Sequence, residues 1–112
     1  MRRASRIDKN QPELVEHMRS LGAYVVHCHD LKNFADLFVV YRGQTMAMEI
    51  KDPVAASLPK YFWELSHEKQ IEYVVGNHLT PGEKECREEV LARNGNYKIV
   101  WSKESVLILA GW

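Results

Sequence analysis

Leu14, Val15, Met18 and Leu21 recur at helical spacing among charged and polar residues, which predicts an amphipathic helix from about Pro12 to Ser20. Asp8 or Asn10 stands where a cap belongs, Pro12 suits a first turn, and Glu13 suits the positive end of the helix. Gly22 is placed to end it in the left-handed conformation. The period then changes. Tyr24-Val25-Val26-His27-Cys28 reads as a strand, followed by the polar loop Asp30-Leu31-Lys32-Asn33. Leu37 to Tyr41 and Met46 to Lys51 are two further strand-like runs. Arg42-Gly43-Gln44-Thr45 between them predicts a hairpin.

After Asp52-Pro53 the pattern weakens. Tyr61, Phe62, Trp63, Leu65, Ile71, Tyr73, Val74 and Val75 are spread among charges, and a helix is expected over Pro59 to Tyr73. Thr80-Pro81 starts a helix reaching about Ala92 or Arg93, with Cys86, Val90 and Leu91 inward, and Asn94-Gly95-Asn96 ends it. Tyr97 to Trp101 is a fourth strand, and Glu104 to Ala110 a short last helix. The order α-β-β-β-α-β-α predicts an α/β fold with a mixed four-stranded sheet flanked by helices. A helical crossover makes the third and fourth strands parallel.

A length of 112 residues predicts one domain, spanning 1–112, with an extended connection at about 53–78. No apolar run approaches the roughly 20 residues of a membrane span, and Met1 to Ser5 precede no signal-like apolar stretch, so no membrane partner and a cytoplasmic location are expected. Cys28 and Cys86 are expected as reduced thiols. The formal net charge of zero argues mildly against a nucleic-acid partner. Acids gathered at a metal site weaken that objection, because bound cations reverse the local charge. Arg2, Arg3, Arg6 and Lys9 form a basic cluster suited to clamping a phosphate backbone; the bland alternative is a solvated terminus.

Alternation along the third strand points Glu49 and Lys51 to one side and Ile50 into the core. A turn centred on Gly43-Gln44 would set Asp36 opposite Lys51 and Phe38 opposite Glu49. Two carboxylates and a lysine at a hairpin's open end make a divalent-cation site with an ammonium beside it. Mg²⁺ is commonly held by one or two carboxylates plus substrate phosphate. Each residue also has a plain reading: an edge-strand carboxylate for Glu49, a turn acid for Asp36, a surface lysine for Lys51. His27, His29 and Asp30 suggest zinc, but no further paired Cys/His set stands at ligand spacing. Trp63, Trp101 and Trp112 read as core or interface aromatics before base-stacking ones.

Asp36 followed by Glu49-Ile50-Lys51-Asp52 resembles the PD-(D/E)XK nuclease superfamily, in particular its small phage and VRR-NUC-like members and the Holliday-junction resolvases. Asp8-x-Asn10-Gln11-x-Glu13 resembles the family's approach to the first helix, and Leu21-Gly22-Ala23-Tyr24-Val25 its helix-to-strand turn. Leu79-Thr80-Pro81-Gly82-Glu83 resembles its later helix start, so the likeness spans most of the chain. Ala35 replaces the name-giving proline, Phe34 stands where glycine is common, and the connection from Pro53 to His78 is longer than usual.

The resemblance implies a restriction-endonuclease-like core and a Mg²⁺- or Mn²⁺-dependent deoxyribonuclease working through a metal-activated water, with no organic cofactor. It implies Asp36, Glu49, the Ile50 carbonyl and Glu13 as metal ligands, with Glu16 competing for Glu13's place. Lys51 becomes the catalytic ammonium. Near Glu83, where the family places Gln or Lys facing the site, Lys84 joins Arg2, Arg3, Arg6 and Lys9 as a DNA contact. DNA is the expected partner, in recombination, repair or phage DNA processing. A dimeric junction resolvase and a catalytically silent DNA-binding module are the alternatives. The segment from Pro53 to His78 carries too many aromatics for a disordered tether and is expected to pair with a second copy of the chain, folding back over the sheet being the alternative.

Overall fold

The computed structural model describes residues 8–28 and 30–112. Helix α1, Gln11–Ser20, buries the stripe Leu14, Val15 and Met18, and Gly22 ends it at a φ of +100°. Strands β1 (Tyr24–His27), β2 (Leu37–Tyr41) and β3 (Gln44–Ile50) form an antiparallel meander.

The hairpin register corrects the expectation. Tyr41 pairs with Gln44, Phe38 with Ala47 and Leu37 with Met48, so the turn is Arg42-Gly43 rather than Gly43-Gln44. Both turn residues have positive φ, +49° and +79°, the conformation whose twist matches the flanking strands. Continued one step, this pairing sets Asp36 opposite Glu49 rather than Lys51. The shift is two residues, so every side chain keeps its expected face.

The segment after β3 is a second correction. No single helix covers Pro59 to Tyr73. A 3₁₀ turn at Lys60–Glu64 is followed by extended Leu65 and Ser66, then by helix α2, His67–Asn77. Ser66 accepts the Lys69 N–H and caps α2, which fixes the break. Helix α3, Pro81–Ala92, opens on a capping box between Thr80 and Glu83. Strand β4, Tyr97–Val100, pairs parallel with β3, and α4, Lys103–Leu109, follows. The sheet order is β1-β2-β3-β4.

Two layers cover the sheet. Leu14, Val15 and Met18 of α1 and Val106 of α4 meet Leu37, Val39, Met48, Ile50 and Val100 on one face. Phe62 of the 3₁₀ turn, Val74 of α2 and Cys86 of α3 meet Ala47, Tyr97, Ile99 and Trp101 on the other. The stretch from Pro53 to His78 therefore supplies much of the second layer. With both faces covered, β3 is buried without alternation from Met46 to Ile50. Cys28 and Cys86 are buried and unbridged. Among the described residues no helix is long and apolar enough to cross a membrane.

Candidate metal and phosphodiester site

Glu49 lies in the middle of the pairing between β3 and β4, opposite Ile99, on the face covered by α3. It is only 2% exposed. A carboxylate is expensive there unless it is paired or protonated. Tyr97, two residues back along β4 from Ile99, brings its hydroxyl to 3.4 Å from Glu49 Oε1. Asp36, just before β2, accepts the Ile50 N–H on Oδ2 at 2.8 Å. Its carboxylate thus takes up a backbone donor of β3 beyond the last β2 pair, close enough to the Glu49 carboxyl to raise it.

Lys51 leaves β3 on the Glu49 side. Its Nζ is 3.8 Å from Glu49 Oε2 and 3.2 Å from Glu83 Oε1. The same Glu83 oxygen accepts the Thr80 N–H at 2.8 Å, so the capping box of α3 also aims an acid at the lysine. The Lys51 backbone is fixed as well. Its N–H donates to Val100 O at 3.0 Å, and the Asn10 amide donates to Lys51 O and Trp101 O at 2.9 and 3.0 Å. Asn10 occupies the cap position of α1 but makes no side-chain cap; it clips the ends of β3 and β4 together instead.

The protonation pattern follows from this crowding. Burial, then the Asp36 charge and hydrogen bond, then Glu83, push the Glu49 carboxyl up to about 11. Burial alone would raise Glu83 as well. The Thr80 N–H, the Glu49 carboxyl and the Lys51 ammonium outweigh it and hold Glu83 below the usual carboxylate range. Asp8 is raised by burial and then by Asp36, Asp52 and Glu83, with Lys51 partly offsetting them. Burial, then Glu49, also raises the Tyr97 phenol.

Asp36, Glu49 and Lys51 are therefore brought together. Ile50 reaches the group through its backbone N–H, which donates to Asp36, and its side chain is buried on the opposite face. Glu13 does not join them. It is largely exposed and pairs with Lys103 Nζ at 3.4 Å, because α1 lies over the other face of the sheet. Glu16 borders a groove with Arg19 and His27 at the α1–β1 edge. Lys84 is half-buried beside Glu83, and Lys9 is exposed between Asp8 and Asn10. Arg2, Arg3, Arg6 and His29 lie outside the described residues.

Asp8, Tyr97 and Asn10 join the site without having been singled out for it, and Glu83 joins it from the position where the resemblance sets a Gln or Lys facing the site. Asp8 and Asn10 carry cap signals and Tyr97 a strand signal. The Thr80–Glu83 capping box gives that acid its fixed direction.

A divalent cation suits this donor set. Burial first, and then the negative charge of Asp36 and Glu83, raise the Glu49 carboxyl; a cation would neutralise the second of these, and Asp36 and Glu49 are the residues that would hold it. Among the described residues no group of three or more Asp, Glu, His or Cys side chains stands arranged as a ligand cage. Mg²⁺ requires none, since it keeps several waters and takes substrate phosphate oxygens. No protein-family model, curated protein or solved structure matches this chain.

Proposed function

We propose that this chain is a metal-dependent DNA endonuclease of the PD-(D/E)XK type, hydrolysing phosphodiester bonds with Mg²⁺ or Mn²⁺. The observation that carries the reading is the convergence of Asp36, Glu49 and Lys51 at the end of the hairpin, with Lys51 Nζ 3.8 Å from the Glu49 carboxyl. When bound, the cation would acidify a water and offset phosphate charge. The chain's own groups supply the rest. Asp36 and Glu49 present oxygens on one side of the sheet's end. The Lys51 ammonium, steadied by Glu83, orients the attacking water and opposes charge gathering on the phosphorus oxygens. Asn10 holds the Lys51 backbone against β4, which limits how far that ammonium wanders.

The test is cleavage of a panel of end-labelled DNAs (single-stranded, duplex, flapped and four-way) with Mg²⁺ or Mn²⁺. Wild type is expected to cut at least one form. Lys51→Ala, with its fold checked by circular dichroism, is expected to cut it about 10²–10³-fold more slowly. Symmetric resolution of four-way DNA by a dimer would select the junction-resolvase form of the reading. Tight binding with no cutting by wild type would replace it with the silent DNA-binding module.

A further inference from the structure

The sheet end that carries Lys51 also borders a cavity for which the cleavage chemistry has no use. It holds about 280 Å³, and its walls include Trp63, Leu65, Trp101 and Ile108, with His67 and Glu104 among its polar groups. Trp101 ties it to the metal site, because its carbonyl and that of Lys51 accept from the same Asn10 amide, at 3.0 and 2.9 Å. The Trp101 ring lies on the Glu49 face of the sheet, 5.4 Å from the buried Phe62.

Trp63 is 55% exposed, yet it is braced edge-on against Phe62 at 5.1 Å and 84°. An indole braced along one side with half its surface in water can serve as a stacking platform, since that contact reduces the side-chain freedom left to lose on binding. The cavity is small for a drug-sized ligand but roomy enough for one flat heterocycle. Its polar lining decides which part of a nucleotide fits. A carboxylate at Glu104 repels phosphate and accepts hydrogen bonds from an exocyclic amine.

We propose that this cavity takes one unpaired nucleobase of the DNA strand whose backbone lies at Asp36, Glu49 and Lys51, with the base stacked on Trp63. The proposal rests on the nuclease reading above and adds a substrate class to it. DNA with a base free to leave the stack near the cut is preferred over continuous duplex, where extrusion must first break pairing and stacking.

The experiment uses the full chain as the Lys51→Ala variant with Mn²⁺, so that DNA is bound without rapid cutting. The probe is a labelled single strand carrying one 2-aminopurine, compared with the same strand made abasic and with the mononucleotide dAMP. Stacking on Trp63 should quench the 2-aminopurine, and the abasic strand should bind roughly 5- to 100-fold more weakly. Adding Trp63→Leu to the Lys51→Ala chain should weaken binding of the base-bearing strand by a similar factor and leave the abasic strand unchanged. Equal affinity for base-bearing and abasic strands, read without any Trp63 variant, overturns the base cavity. So does binding of dAMP as tight as that of the strand, which would make the cavity a free-nucleotide site. Wild-type cleavage accompanying either result leaves the nuclease reading standing. Failure to bind or cut any DNA overturns both.

Discussion

Glu49 is the residue on which the proposed chemistry turns. Its carboxyl titrates near 11 in the folded chain against an ordinary value of 4.5, so between those limits the folded state keeps a proton that the unfolded state has released. Stability from this group is therefore lost as pH rises above the unfolded value, by at most about 1.4 kcal/mol per pH unit. In EDTA, Glu49→Gln is expected to be more stable than wild type at neutral and alkaline pH, with the gap closing toward about pH 4.5. Urea titrations across that range check it, and a gap that widens in acid contradicts the assignment. Mn²⁺ has to displace the same proton. Its affinity should rise with pH by up to about tenfold per unit, with proton release visible as buffer-dependent binding heat, and Glu49→Gln should lose both. Asp36, Glu49 and Lys51 were legible in the sequence because their chemistry and spacing were local to one hairpin. Asp8 was not, since only the fold brings a residue before α1 to a residue before β2.

Among the elements, the β2–β3 hairpin sets the distances within the site, and its turn sets the register. Gly43 has a φ of +79° with nothing within 4 Å of where a Cβ would sit, so Gly43→Ala meets a backbone penalty without a clash. The expected loss is about 1–2 kcal/mol, measured by denaturant titration, with cleavage per folded molecule retained. The turn was misplaced by one position from sequence because Arg42 does not advertise a positive φ as Asn or Asp does. The faces survived because two residues is one full strand period. Helix α3 contributes through its first turn. Glu83→Gln keeps an acceptor for the Thr80 N–H and for Lys51, whereas Glu83→Ala removes both partners. The alanine variant is expected to lose about 1 kcal/mol of stability and most of its cleavage rate, the glutamine variant little of either. The likeness of Asp8-x-Asn10-Gln11-x-Glu13 to the family's helix entry favours Glu13 as the third acid, but a place on a helix does not say which sheet face the helix covers.

For the whole molecule, the open question in the sequence was what the aromatic stretch from Pro53 to His78 does, and it forms the outer layer over the Glu49 face. Phe62 is fully buried and touches the rings of Trp63, Tyr73 and Trp101. That a disordered tether would not carry these rings was readable from composition. Which rings turn inward was not, because a 3₁₀ turn and a short helix leave no sustained period to read. Such a layer either melts with the sheet or detaches alone, and truncating its anchor separates the two. Phe62→Ala is expected to cost about 3–5 kcal/mol, a large share of the 5–15 kcal/mol that holds a domain together. If the layer is integral, the urea midpoint falls and the slope of the transition stays that of wild type, because the same surface is exposed in one step. A detachable layer would instead give a shallower or two-step transition, with Glu49 and Lys51 losing their cover before the sheet unfolds. Trp63→Leu is the control at the neighbouring ring. Exposed and edge-on, it is expected to change stability by no more than about 1 kcal/mol, which keeps any effect on DNA binding separate from folding.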